Sequence, residues 1–226
     1  MGSLSGFALA KYLENHTGMK LKPWVEPGRL EAGCDEAGRG CLAGPVTASA
    51  VVLGTDLAKA LCEEGILNDS KQLSEKNRDA LRIRIESEAK SWAVCFVDSD
   101  GIDEINILQA SFAAMRRAVI MLNERPDFIL IDGNRFRTEE GLPPFECYVK
   151  GDARFASIAA ASVLAKTHRD ERMRALSLEC PGYGWETNAG YPTRAHRDAI
   201  RKMGVTSYHR RSFRQLPEAE HLFGGR

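Results

Sequence analysis

Residues Ala32–Pro45, AGCDEAGRGCLAGP, join an acidic pair to a glycine-rich turn between two strand-like runs, 30–36 and 46–53. Two apolar runs on either side of a Gly/Pro-rich turn read as a long hairpin. Neighbouring strand residues point to opposite faces. Asp35 and Glu36 therefore serve one site only at a strand end or bulge, where Gly38 and Gly40 make distortion cheap. Adjacent carboxylates repel each other unless a cation neutralises them. Glycines spaced around Arg39 let backbone N–H groups approach a ligand closely, beside a planar cation. Together these residues point to a divalent metal next to a phosphate or sugar.

The rest of the chain alternates strands and helices. Ser91–Asp98 alternates apolar residues Trp92, Val94 and Phe96 and reads as a third strand. After Asp98 the period changes: Ile105, Leu108, Phe112, Met115, Val119 and Leu122 step by threes and fours, one apolar face of a helix. Asp127–Asp132 is a short continuous apolar run, as expected of a buried parallel strand, with Asp132 at its C-terminal end. Glu146–Val149 reads as another short strand, and Phe155–Lys166 as a helix of small residues suited to close packing on a sheet. Ser74 is the expected N-cap of a helix that follows the loop Asn68–Ser74. Cys180–Thr193 is a turn-rich loop with Tyr183 and Tyr191 expected to be exposed, and a helix is expected from Thr193 to about Met203. This order predicts one α/β domain with a mixed sheet over 29–226, including a basic, helical C-terminal part, preceded by an extension or linker at 1–28.

Several function classes are disfavoured. No apolar stretch approaches the ~20 residues of a membrane span, no basic n-region precedes an apolar start, and a cytoplasmic protein is expected. The cysteines at 34, 41, 62, 95, 147 and 180 show no Cys-x-x-Cys spacing, so zinc and a disulfide framework are unsupported. His168, His196 and His209 have no metal-like spacing and read as core or surface residues. Residues 1–149 carry 17 Lys+Arg against 23 Asp+Glu, and 150–226 carry 14 against 8, which gives the C-terminal part a polyanion-facing balance.

Asp35, Glu36, Asp132 and Asp152 sit at strand ends or in tight glycine turns, outside any i,i+4 helix pair with a base. Clustered carboxylates bind Mg²⁺ or Mn²⁺ through hard oxygen ligands. Aspartate before glycine is also ordinary turn chemistry, and spacing alone leaves both readings open.

Cys34-Asp35-Glu36-Ala37-Gly38-Arg39-Gly40, Asp69-Ser70-Lys71, Ile131-Asp132-Gly133-Asn134, Lys150-Gly151-Asp152, Ser157–Ser162, Gly190-Tyr191-Pro192-Thr193 and His209–Phe213 occur in this order. The ordered set, over roughly residues 30–213, resembles bacterial ribonuclease HII. The resemblance implies an RNase H-like fold, a five-stranded mixed sheet flanked by helices. It implies a metal-dependent endonuclease that cuts RNA in RNA–DNA hybrids and nicks 5′ of single ribonucleotides in duplex DNA, leaving a 3′ hydroxyl. Asp35, Glu36, Asp132 and Asp152 match its metal-binding acidic quartet, for two Mn²⁺ or Mg²⁺ ions. Gly38, Arg39 and Gly40 match its clasp on the ribonucleotide, and Tyr191 a tyrosine that stacks on the neighbouring deoxyribose. Ser70, Lys71, Arg154, Lys166, Arg169, Arg210, Arg211 and Ser212 are candidate phosphate contacts, with a solvated face the equal alternative for the lone lysines and arginines on helices. A monomer is expected, with no clamp-binding motif in Gln215–Arg226. Two other readings are a related nuclease of different specificity and a catalytically silent nucleic-acid-binding module.

Overall fold

The computed structural model describes residues 21–65, 67 and 74–217. Ser70 and Lys71, candidates for phosphate contact, fall outside these residues, as does the tail beyond Pro217 in which no clamp-binding motif was read.

The hairpin forms as its sequence demands. Strands β1 (Glu31–Ala37) and β2 (Val46–Val52) pair antiparallel, with Asp35 opposite Ser49 and Glu36 opposite Ala48. Helices α1 (Thr55–Glu64) and α2 (Glu75–Glu88) follow. Ser74 caps α2 by accepting a hydrogen bond from the Asn77 amide, as its position before Glu75 predicts. Strand β3 (Ser91–Val97) pairs antiparallel with β2, and helix α3 (Ser99–Ile120) crosses back. Strand β4 (Phe128–Asp132) lies parallel to β1, and β5 (Phe145–Tyr148) parallel to β4. The sheet order is β3-β2-β1-β4-β5, so β1 is the central strand of a five-stranded mixed sheet.

Each face of the sheet takes a helix. On one, Ala32, Cys34, Ile129 and Ile131 meet Ala114, Met115, Ala118 and Val119 of α3. The stripe read from the sequence is this contact face at Met115, Val119 and Leu122. The helix does not run smoothly through it: Asn106 has φ 65°, and its side chain accepts from the Leu108 and Gln109 amides, which restarts the helix. On the other face lies α4 (Ala156–Glu179), whose Ala156, Ala159, Ala160 and Ala161 are buried. Its small residues let it approach β1 very closely. A Cβ on Gly33 would fall 2.1 Å from the Ser157 carbonyl carbon, so only glycine fits there.

The described part of the N-terminal segment is tied to this domain. Leu21 joins the core beneath α4, Lys22 bridges to Phe155, and the Glu31 carboxylate accepts the Val25 and Glu26 amides. Beyond α4, the loop expected at Cys180–Thr193 contains a short helix, α5 (Trp185–Asn188), before α6 (Arg194–Met203), which Thr193 caps. Tyr183, expected to be exposed, is 6% accessible and stacks on Trp185 at 5.1 Å. The correction has a packing cause: Leu42, Met173, Leu176, Trp185 and Ile200 form a third apolar cluster into which Tyr183 inserts. The tail returns to the hairpin, with Gly44 N–H donating to Tyr208 O and Arg210 N–H to Leu42 O. Among the described residues, no helix is long and apolar enough to cross a membrane.

Candidate active site

Pairing of β1 with β4 stops at Cys34 and Ile131, so Asp35 and Glu36 outrun their parallel neighbour in the last residues of β1 while still paired to β2. Alternation sends them to opposite faces. Asp35 lies on the α4 face, beside a cavity that Ser162 also lines, and Glu36 borders a second cavity with Leu108 and Phe112 of α3. Both nevertheless line one cavity of about 470 Å³ at the top edge of the sheet, together with Asp132, Gly38, Arg39, Gly40, Ser162, Lys166 and Tyr191.

The carboxylates perturb one another. Burial pushes the Asp35 carboxyl well above the usual range, and the neighbouring Glu36 and Asp132 charges push it further. Burial also raises Glu36, against the pull of Arg39, whose Nη1 donates to Glu36 Oε1 at 3.0 Å. Asp132 closes β4, and its Oδ1 accepts the Gly151 amide at 2.7 Å. Asp152 follows on the 3₁₀ turn Gly151–Ala153; it is buried and does not border the cavity. Among the described residues, no three His, Cys, Asp or Glu side chains close into a ready-made cluster. The donors that face this cavity are hard oxygens, the ligand type that divalent cations take.

The glycine turn is shaped from beneath. Gly38 has φ +89°, and a Cβ there would lie 2.0 Å from Arg169 Nε. Arg169 and Arg210, both candidates for phosphate contact, are fully buried instead. Arg169 donates to Pro45 O, Ala189 O and Ala43 O at 3.0, 2.9 and 3.3 Å. Arg210 donates to Gly44 O and Arg39 O at 3.0 and 2.9 Å. The turn and the loop before Tyr191 offer main-chain carbonyls that require donors, and these guanidinium groups are spent on them. Ser212 is likewise engaged, donating to Asp103, and the Arg211 amide donates to the same carboxylate. Arg154 lies over the Tyr148 and Phe155 rings, away from the cavity lining. Of the candidate phosphate contacts among the described residues, only Lys166 borders the cavity, paired with Asp170 at 2.8 Å. Arg211 is exposed near Asp103.

Ser162 and Arg78 also border the cavity and were given no role from sequence, although Ser162 lies within a motif noted there. A serine facing a carboxylate across a helix–strand contact carries no local signal.

The family model described as Ribonuclease HII matches residues 32–216, which contains every element of this cavity. The chain belongs to the ribonuclease HII family. It is 57% identical over 198 residues to the ribonuclease HII of Parabacteroides distasonis, covering 88% of this chain and 96% of that one. The crystal structure of ribonuclease H2 from Pyrococcus horikoshii OT3 superposes with a TM-score of 0.70 at 24% identity, over 85% of this chain and 98% of that chain. That of Bst-RNase HIII in complex with Mn²⁺ gives 0.63 at 19% identity, over 98% and 82%. These neighbours share the mixed five-stranded sheet and flanking helices of the RNase H-like fold. As a ribonuclease HII, the chain is a phosphodiester-hydrolysing endonuclease of the ribonuclease H type, from a family that depends on divalent metal.

Proposed function

We propose that this cleft cuts RNA in RNA–DNA hybrids and nicks DNA duplexes on the 5′ side of single embedded ribonucleotides, leaving a 3′ hydroxyl. One observation carries the reading: Asp35, Glu36 and Asp132, the Gly38–Gly40 turn and Tyr191 border the same cavity. Acid chemistry and sugar recognition thus meet at one place.

Asp35, Glu36 and Asp132 would hold two Mn²⁺ or Mg²⁺ ions, with Asp152 completing the set from the adjoining turn. The fit rests on the donor set, three hard-oxygen carboxylates on one cavity; burial and neighbouring charge raise Asp35 and Glu36, a cost that a divalent cation relieves. The Mn²⁺ complex of Bst-RNase HIII supports the choice of ion. Such ions, when bound, activate a water for in-line attack and neutralise charge on the leaving oxygen.

The chain's own residues supply positioning. Gly38 and Gly40 carry no side chain, so backbone amides can approach the 2′ hydroxyl, the group that separates RNA from DNA. Arg39 is exposed and uses one nitrogen on Glu36, which leaves donors for a phosphate. Tyr191 presents a ring on which the neighbouring deoxyribose can stack. Lys166 places a cation on the same wall.

A duplex bearing one ribonucleotide, incubated with and without Mn²⁺ and mapped on a gel, tests this. The expected product is a single nick 5′ of the ribonucleotide, abolished by Asp35→Asn with binding retained. Wild-type turnover by Asp35→Asn, or equal cutting of an all-DNA duplex, would overturn it.

A further inference from the structure

The carboxylates stand between two cavities. Alternation along β1 puts Asp35 on the α4 face of the sheet and Glu36 on the α3 face. The cleft that holds Tyr191 takes its wall from α4, at Ser162, Val163 and Lys166. A second cavity, of about 310 Å³, takes its wall from α3, which packs on the opposite face. Glu36, Arg39 and Asp132 border both. A strand of nucleotides that crosses the carboxylates therefore has a hollow to enter on each side.

The second cavity has the makings of a site. Leu108, Phe112 and Met115 give it an apolar floor, and the Phe112 ring is braced edge-on by Phe136 at 5.8 Å. Arg39 and Arg135, both exposed, border it with two guanidinium groups. An apolar floor beside planar cations suits the C–H face of a sugar and the phosphate attached to it. Ser111 lies in the same wall of α3. It is 1% accessible, and its hydroxyl has no hydrogen-bond partner among the described residues. An unpaired buried hydroxyl carries a desolvation cost, which a ligand that supplies a partner relieves. The hydroxyl has three staggered positions in which to find one.

The polarity of the substrate decides the occupant. A nick on the 5′ side of the ribonucleotide puts the scissile phosphate at the carboxylates. The ribonucleotide, with the deoxyribonucleotide after it, then fills the cleft of Gly38–Gly40 and Tyr191. The nucleotide on the 5′ side of the cut has to leave across Glu36 and Asp132. We propose that the second cavity is the subsite for that nucleotide: Leu108 and Phe112 take its sugar, Ser111 pairs with a sugar oxygen, and Arg135 holds the phosphate on its own 5′ side. After the cut this nucleotide carries the new 3′ hydroxyl, so the subsite positions the leaving oxygen. The inference rests on the reading of the cleft as one that nicks 5′ of a ribonucleotide.

The test measures kcat/KM with Mn²⁺ on a duplex carrying one ribonucleotide. A second duplex has a neutral methylphosphonate in place of the first phosphodiester 5′ of the cut bond. Losing a charge-assisted hydrogen bond at an exposed arginine is worth about tenfold, so the methylphosphonate should slow the wild type by about that factor. Arg135→Gln should lose about tenfold on the unmodified duplex and nothing further on the modified one. Ser111→Ala should lower kcat/KM about fivefold, the worth of one neutral hydrogen bond. It should do so without lowering Tm, because the hydroxyl has no partner to lose among the described residues. Additive losses from Arg135→Gln and the methylphosphonate, a wild type indifferent to the methylphosphonate, or a Ser111→Ala variant that either cuts as wild type or loses Tm would overturn the proposal. The position of the cut separates the two failures. If the wild type cuts the unmodified duplex elsewhere than 5′ of the ribonucleotide, the reading of the cleft falls and takes this subsite with it. If it cuts there while the losses from Arg135→Gln and the methylphosphonate add, only the subsite falls.

Discussion

Replacing Arg169 by methionine separates an internal staple from a phosphate contact. Methionine keeps the length and much of the volume, so the cavity contribution is small. It removes the donors that hold Ala43, Pro45 and Ala189, carbonyls from two separate stretches of chain. Hydrogen bonds from a charged donor contribute about 1.5–3 kcal/mol each, and the 3.3 Å bond to Ala43 belongs at the low end. The gross loss is therefore roughly 5–7 kcal/mol, offset by several kcal/mol because methionine no longer desolvates a guanidinium. The expected net destabilisation is about 3 kcal/mol, or roughly 6–12 °C in Tm for a chain of this length. Thermal and urea unfolding measure it. Binding of an RNA–DNA hybrid to the same variant over a series of salt concentrations supplies the second readout. A lost phosphate contact would lower the slope of log K against log salt by about 0.9, whereas a staple leaves the slope where it was. A variant within 1 kcal/mol of wild type whose slope falls by about 0.9 would refute the burial argument.

Three further outcomes follow from the site. Gly38→Ala must adopt φ +89° and push Arg169 aside, so it should lose at least roughly 2 kcal/mol in urea unfolding along with most cleavage activity. Asp35→Asn removes the most strongly perturbed carboxylate, so without divalent ions it should raise Tm even as cleavage is lost. Mn²⁺ at a hundred times its Kd should stabilise the wild type by about 2.7 kcal/mol, and the variant by clearly less. Acid should act through His209, which burial and the adjacent His196 hold down at about 4. Its neutral form is the stabilising one, so that contribution is complete above pH 6.5 and is lost as the pH falls toward 4. In the Asp35→Asn background, urea unfolding should show about 2 kcal/mol lost between pH 7.5 and 5. A flat profile across that range would contradict it.

Local periodicity made the sheet and its helices legible. The hairpin, the alternation of β3 and the small residues of α4 announce themselves within a few positions, and they fold as read. Asp35, Glu36 and Asp132 border one cavity; the pattern delimits the strand that Asp132 closes, whereas Asp35 lies inside β1, just past the end of its pairing with β4. The direction of a long side chain was not legible. Arg169 and Arg210 looked like phosphate ligands because they are basic and lie in the basic half of the chain. Their partners, at Arg39, Ala43, Gly44 and Pro45, are 124 to 171 residues away, and no local pattern signals a need for donors there. Tyr183 and Tyr191 show the same limit. They share one loop and one composition, yet Tyr183 enters the third cluster while Tyr191 faces the cleft.

If the Gly38–Gly40 turn reads the ribonucleotide as proposed, the two buried arginines supply the rigidity that a turn almost without side chains lacks. A Gly-Arg-Gly turn is flexible by itself, and a flexible turn would spend binding free energy on ordering itself around each substrate. Arg210 holds Arg39 O and Gly44 O, Arg169 fills the space beneath Gly38, and both reach the hairpin from elements late in the chain. The turn is therefore rigid only once α4 and the tail have docked. Burial, with Arg169 nearby, lowers Arg210 to about 10, which still leaves it charged at neutral pH. Two cations thus lie behind the amides while the carboxylates stand in front. A phosphodiester approaching the carboxylates gains attraction from that rear charge in a medium less polar than water. Apolar replacements that preserved the shape of the turn would still lose this attraction, so stability and substrate binding are coupled through the same two side chains.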